Sequence, residues 1–120
     1  MMINGAHTII YAADADRARE FLRDVLKLPN VDAGGGWLIF KSPPAEFAVH
    51  PAAPPESGTA GVYFMCDDLE STMAELRAED VEFTSEITDA GWGRLTSFLI
   101  PGAGEVGLYE PRHPTAYDLD

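Results

Sequence analysis

Apolar residues at Ala18, Phe21, Leu22, Val25 and Leu26 follow the i, i+3, i+4, i+7, i+8 spacing of a helix with one buried face. Asp14 and Asp16 precede them as N-cap candidates, and Leu28-Pro29-Asn30 closes the run because proline cannot continue a helix. Ahead of the helix, residues 3–11 combine isoleucine, threonine and tyrosine with small residues and read as a strand. Behind it, Gly34-Gly35-Gly36 turns into a strand over residues 37–41. Ser42-Pro43-Pro44 makes a second turn, and residues 46–50 read as a further strand. A short additional strand fits around Val31.

Residues 51–59 are rich in turn-formers and read as a short linker, after which the same order of elements returns. A strand over residues 61–66 leads to a helix that opens at Asp67-Asp68 and carries Leu69, Met73 and Leu76 on one face. An extended stretch over residues 81–87, a turn at Ala90-Gly91-Trp92-Gly93, and strands over 95–100 and 105–110 complete it. A shift of 54 residues sets Asp14 on Asp68, Leu22 on Leu76 and Arg23 on Arg77, and a shift of 59 lays residues 46–50 on 105–109. The chain therefore reads as one α+β domain of two tandem β-α-β-β-β modules, residues 3–50 and 60–111, followed by a tail over 112–120. Two copies suit a closed pseudo-symmetric domain better than an open solenoid.

Composition narrows the partners. Twenty Asp and Glu against eight Lys and Arg give a net charge of −12, which opposes binding to nucleic acid or to an anionic membrane surface. No local basic cluster offsets this, because Arg17, Arg19 and Arg23 are interleaved with Asp16, Glu20 and Asp24. A single cysteine, Cys66, excludes an internal disulfide and a cysteine-rich zinc site, and points to a reducing, cytoplasmic compartment. No apolar run approaches the roughly 20 residues needed to span a bilayer, and the N-terminus lacks the charged and apolar regions of a secretory signal. Gly34-Gly35-Gly36 is not followed by the Lys-Ser/Thr of a phosphate loop, and no serine sits in a nucleophile-elbow context.

Residues 7–14 (His-Thr-Ile-Ile-Tyr-Ala-Ala-Asp), residues 17–28 with their Asp-Val-Leu-Lys-Leu ending, and the closing Leu99-Ile-Pro-Gly-Ala-Gly-Glu-Val-Gly-Leu-Tyr-Glu-Pro111 together resemble the vicinal oxygen chelate superfamily of glyoxalases, bleomycin-resistance proteins and extradiol dioxygenases. The resemblance implies that the two modules form a curved mixed sheet with helices outside and a small-molecule cleft within. It also implies a homodimer. Metal-dependent relatives draw ligands from four strand positions, which fall here on His7, Ala48, Gly61 and Gly107. Only His7 carries a donor atom, so no cofactor is expected. Strand alternation leaves a displaced set open: Glu46, Ala48 and His50 share one face, as do Glu105, Gly107 and Tyr109. His7, Glu46 and His50 would make a two-histidine-one-carboxylate site for Fe, Mn, Ni or Zn.

The remaining candidates each have a structural alternative. His7 is either a core histidine or a cleft donor and candidate general base. His50 is either a cleft residue or a strand-end histidine beside the linker. Tyr63 and Met65 share the parity of Gly61 and are placed in the cleft, which sends Val62, Phe64 and Cys66 under the helices. With no basic neighbour, Cys66 is a poor nucleophile. Trp92, between two glycines, is a ligand-stacking lid or a plug; Trp37 is expected in the core and His113 in solvent. The leading expectation is a metal-independent binder of apolar or aromatic small molecules, through His7, His50, Tyr63, Met65, Trp92 and Tyr109. The alternatives are a metal-dependent lyase or dioxygenase using the displaced site, and an antibiotic-sequestering resistance protein, for which an acidic cleft would suit a cationic glycopeptide.

Overall fold

One eight-residue hairpin organises the described residues, which are 7–46, 48, 51, 53–57 and 60–117 of a computed structural model. In chain order the elements are α1 (Ala15–Asp24), β1 (Asn30–Asp32), β2 (Leu38–Phe40), a 3-10 turn (Pro54–Glu56), β3 (Tyr63–Met65), α2 (Leu69–Ala78), β4 (Thr88–Asp89), β5 (Gly93–Ile100) and β6 (Gly104–Pro111). β5 and β6 pair antiparallel from Gly93↔Pro111 to Ile100↔Gly104. β3 joins the outer side of β6 in parallel and β4 joins β5 antiparallel, giving a mixed sheet of order β3-β6-β5-β4. The fold is α+β, as the two periodicities predict.

Both helices begin where the sequence places them. Asp14 accepts from the Arg17 backbone N–H at 3.1 Å, and Asp68 accepts from that of Ser71 at 3.1 Å. The same cap thus recurs 54 residues apart, satisfying one otherwise orphaned donor at each helix start. Just beyond the helices the chain turns away through a left-handed Lys27 after α1 and a left-handed Asp80 after α2.

The core lies between the helices and one face of the sheet. On β5 and β6, Thr96, Phe98, Ile100, Val106 and Leu108 are buried against Ala18 and Phe21 of α1 and Leu69 and Met73 of α2. Phe98 is central, its ring 6.0–6.3 Å from those of Phe21, Phe64 and Phe83. Truncating a phenylalanine so placed costs about 3–5 kcal/mol. As parity predicts, Val62, Phe64 and Cys66 pack against this core.

α1 docks on the sheet built by the second half of the chain. The Asp14 backbone N–H donates to the Gly102 carbonyl at 2.9 Å. Gly102 has φ +84°, and any Cβ there would run into the Asp14 carbonyl, so this close approach requires glycine.

The first half differs from its sequence reading. Among the described residues it contributes only the two-stranded sheet of β1 and β2, paired Asn30↔Phe40, Val31↔Ile39 and Asp32↔Leu38. Residues 7–12 form no ladder, and Glu46 and Ala48 lie outside strands; residues 3–6, Phe47, Val49 and His50 fall outside the described set. Trp37, expected in the core, is 63% exposed, with the Arg19 guanidinium 5.0 Å from its ring centroid. An isolated pair of three-residue strands has no second layer in which to bury such a ring.

At the far end of β5, Arg94 links three elements. Its guanidinium forms an ion pair with Glu70 of α2, with one bond at 2.9 Å, and approaches Glu110 of β6 at 3.8 Å. Glu110 in turn accepts from the Leu69 backbone N–H at 3.1 Å, fastening the start of α2 to the sheet. The Arg94 hydrogen bond holds the Glu70 carboxyl down to about 2. A depressed carboxyl contributes stability that is complete above the ordinary carboxylate range and is lost as pH falls through the folded value. Urea unfolding should therefore show Glu70→Gln less stable than the native protein above about pH 5, with the gap closing towards pH 2. A gap that stays constant with pH would contradict this role.

Candidate functional site

The odd-numbered residues of β5 and β6 face away from the helices, so the ladder register sets out the opposite face of the sheet in rows. One row runs Tyr63, Gly107, Ser97 and the next Met65, Tyr109, Leu95; beyond Gly107 lies Glu105, opposite Leu99. A cavity of about 350 Å³ opens on this face, lined by Gly61, Tyr63, Ser85, Thr88, Leu95, Ser97, Glu105 and Gly107 among others. That volume is within the range of small-molecule sites.

Tyr63 shapes the cavity. Its ring packs against Gly107, and a Cβ there would clash with the ring's Cδ1, Cε1 and Cγ atoms. The missing side chain at Gly107 therefore makes room for an aromatic ring, which stays 53% exposed. Tyr63 meets Tyr109 edge-on at 6.0 Å and 82°, and Trp92 meets Tyr109 from another side at 5.5 Å and 77°. Trp92 is 46% exposed and Tyr109 only 9%, so Tyr63 and Trp92 offer ring surface while Tyr109 braces them.

The tail completes the bracing. The Tyr109 hydroxyl donates to Glu46 Oε1 at 3.3 Å, and the Ala116 backbone N–H donates to Glu46 Oε2 at 2.7 Å. Burial, and then the nearby Glu46 charge, push the Tyr109 phenol up, which keeps it a protonated donor. His113 Nδ1 lies 2.8 Å from the Pro114 carbonyl. A carbonyl only accepts, so Nδ1 bears the hydrogen and Nε2 is turned towards the Tyr109 hydroxyl at 3.5 Å. His113, expected in solvent, is thus a packing partner of Tyr109, with ring centroids 6.1 Å apart.

The other sequence candidates are scattered. His7 is exposed on the unpaired stretch before α1, and His50 lies outside the described residues. Met65 shares the parity of Tyr63 but borders a separate apolar groove beside Leu26, Leu28 and Leu76, at the open edge of β3. Burial raises the Cys66 thiol, which disfavours the reactive thiolate.

These residues do not fit a metal of the oxygen-chelate kind. Ala48, Gly61 and Gly107 supply no donor atom, and the Tyr63 ring covers Gly107. In the displaced set, Glu46 already accepts on both oxygens, from Tyr109 and Ala116. Among the described residues, one other group of potential ligands is Asp68, Glu70 and Glu110. There Arg94 already supplies the positive charge.

Sequence reasoning overlooked the hydroxyl side of the cavity. Ser85 comes from the stretch read only as extended, Thr88 from between that stretch and the turn at residues 90–93, and Ser97 from the strand over residues 95–100. The signal was available for Ser97, because folding β5 on β6 about the turn at residues 101–103 sets it opposite Gly107.

The model of the Glyoxalase/Bleomycin resistance protein/Dioxygenase superfamily matches residues 5–113, and the chain belongs to that superfamily. Among solved structures it is similar to TnmS3, an antibiotic binding protein from Streptomyces sp. CB03234, at TM-score 0.65 and 22% identity over 92% of this chain and 98% of that one. It is similar to a member of the superfamily from Sphaerobacter thermophilus DSM 20745, at TM-score 0.62 and 21% identity over 91% and 98%. A lactoylglutathione lyase from Agrobacterium tumefaciens follows at TM-score 0.60 and 20% identity over 91% and 95%. At these identities the likeness shows the fold. Among curated proteins none matches the chain. Among the described residues no helix is long and apolar enough to cross a membrane.

The Tyr63–Gly107 contact is open to a double-mutant cycle. Gly107→Ala should destabilise by about 1–3 kcal/mol, as overpacking does, and the loss should largely vanish in a Tyr63→Ala background, measured by urea unfolding. Equal losses in both backgrounds would show that Gly107 is small for another reason.

Proposed function

We propose that this protein is a metal-independent, dimeric binder of small aromatic molecules, which it holds on the Tyr63 side of the sheet. The observation that carries this reading is the Tyr63 ring occupying the position over Gly107. At that place a metal-dependent relative would present a ligand atom, and this chain presents an exposed aromatic face. Two exposed rings braced on a buried third give stacking surface at little cost in side-chain freedom. The structural likeness to an antibiotic binding protein supports a sequestering role, in which a ligand is held without turnover.

Metal content and ligand binding test this together. Protein purified without chelator and re-equilibrated with Fe, Mn, Ni, Zn and Co should bind no stoichiometric metal. A planar aromatic probe should quench the fluorescence of Trp92 in a Trp37→Phe background. Tyr63→Ala should weaken that binding by about 1 kcal/mol, roughly fivefold. Stoichiometric metal lost on His7→Ala would overturn the reading and support the displaced site.

Dimerisation rests on exposed apolar side chains, which a second copy of the chain would cover. Much apolar exposure is in the first half: Ile9 at 59%, Tyr11 at 86%, Val31 at 66% and Trp37 at 63%. Sedimentation equilibrium should give twice the chain mass for the native protein, and Trp37→Asp together with Tyr11→Asp should shift it to monomer. A native monomer would remove this part of the reading.

A further inference from the structure

We infer that the cavity selects aromatic ligands bearing hydrogen-bond donors, and prefers cations to anions; this rests on the aromatic binding site proposed above. The observation is the chemistry of the wall facing Tyr63. Four hydroxyl groups from two adjacent segments meet there: Thr84 and Ser97 oxygens are 2.7 Å apart, Ser85 and Ser97 2.9 Å, and Ser85 and Thr96 3.3 Å. Their protons can be assigned. Thr96 donates to the Ser85 carbonyl at 2.8 Å, which uses its proton. The arrangement that uses every remaining proton runs from Thr84 to Ser97, from Ser97 to Ser85 and from Ser85 to Thr96. The Ser97 backbone N–H, at 3.1 Å, takes the second lone pair of the Ser85 oxygen.

The cluster therefore consumes its own donors, and Ser97 is left with an unused lone pair on the cavity wall. Glu105, at the mouth, is a carboxylate and accepts only. Among the described residues no Lys, Arg or His lines the cavity. Elsewhere Arg94 is paired with Glu70, Arg112 with Asp89, Arg23 with Asp24 and Arg19 with Asp16. An anionic ligand would meet lone pairs and a like charge without a compensating cation. A ligand with an ammonium or amide N–H would meet partners for it while its ring lies on Tyr63. The net charge of −12 acts in the same direction at longer range.

The test uses three naphthalene probes of nearly equal shape: naphthylmethylammonium, naphthylmethanol and naphthoate, titrated calorimetrically at low and high salt. The ammonium should bind about tenfold more tightly than the carboxylate at low salt, and the ratio should shrink as salt screens the exposed Glu105. Glu105→Gln should narrow that ratio to about twofold. Glu75→Gln, on the exposed side of α2, removes the same charge from the molecule and should leave the ratio as it was. Equal affinities, a preference for naphthoate, or equal narrowing by both variants would overturn the inference while the aromatic site stands. Failure of all three probes to bind would overturn the inference and the proposed function with it.

Discussion

Because side chains alternate along a strand, the ladder between β5 and β6 has to serve two faces at once, and the rest of the molecule is arranged around that division. The even positions carry Phe98, Ile100, Val106 and Leu108 into a core closed by both helices. The odd positions carry Ser97, Gly107 and Tyr109 to the face with the cavity. A slip of one residue would exchange the two sets. The turn that fixes the register includes Gly102, whose carbonyl anchors the start of α1 and whose missing Cβ lets the helix approach. Core, helix docking and cavity thus share one geometric origin.

On the cavity face the decisive feature is the contact between Gly107 and Tyr63. A glycine in mid-strand often marks close approach of another group, and at Gly107 that group is the ring of Tyr63. The glycine and the tyrosine stand opposite each other in the parallel register of β3 and β6. Tyr109, Trp92, Glu46 and His113 then hold the neighbouring aromatic surface in place, drawing on the first half of the chain, the hairpin and the tail together. Such a face presents aromatic surface at one end and hydrogen-bond acceptors at the other, which is the chemistry the proposed binding role uses.

Local structure is legible in the sequence. The caps at Asp14 and Asp68, the apolar faces of both helices, and the parity that divides Tyr63 from Phe64 depend only on near neighbours and on a period. The features that escaped depend on pairing between distant segments. Residues 7–11 have strand composition, yet strand structure requires a partner ladder, and among the described residues none is formed there. Trp37, at the start of a strand after three glycines, is expected in the core, but its burial requires a second layer over β1 and β2. The meeting of Glu46 with Tyr109 and Ala116 spans 63 and 70 residues of chain, and no periodicity reports it. Ser85 and Ser97 meet because the bridge from Phe83 to Phe98 sets their segments side by side.

The most direct test of a metal-free aromatic site on the Tyr63 face is to map it by backbone amide NMR, titrating the neutral naphthylmethanol in the presence of a chelator. The account predicts saturable shifts at Tyr63, Ser97, Gly107 and Trp92, with His7 undisturbed. A spectrum that stays unchanged until a divalent metal is supplied, and then shifts around His7 and Glu46, would contradict it.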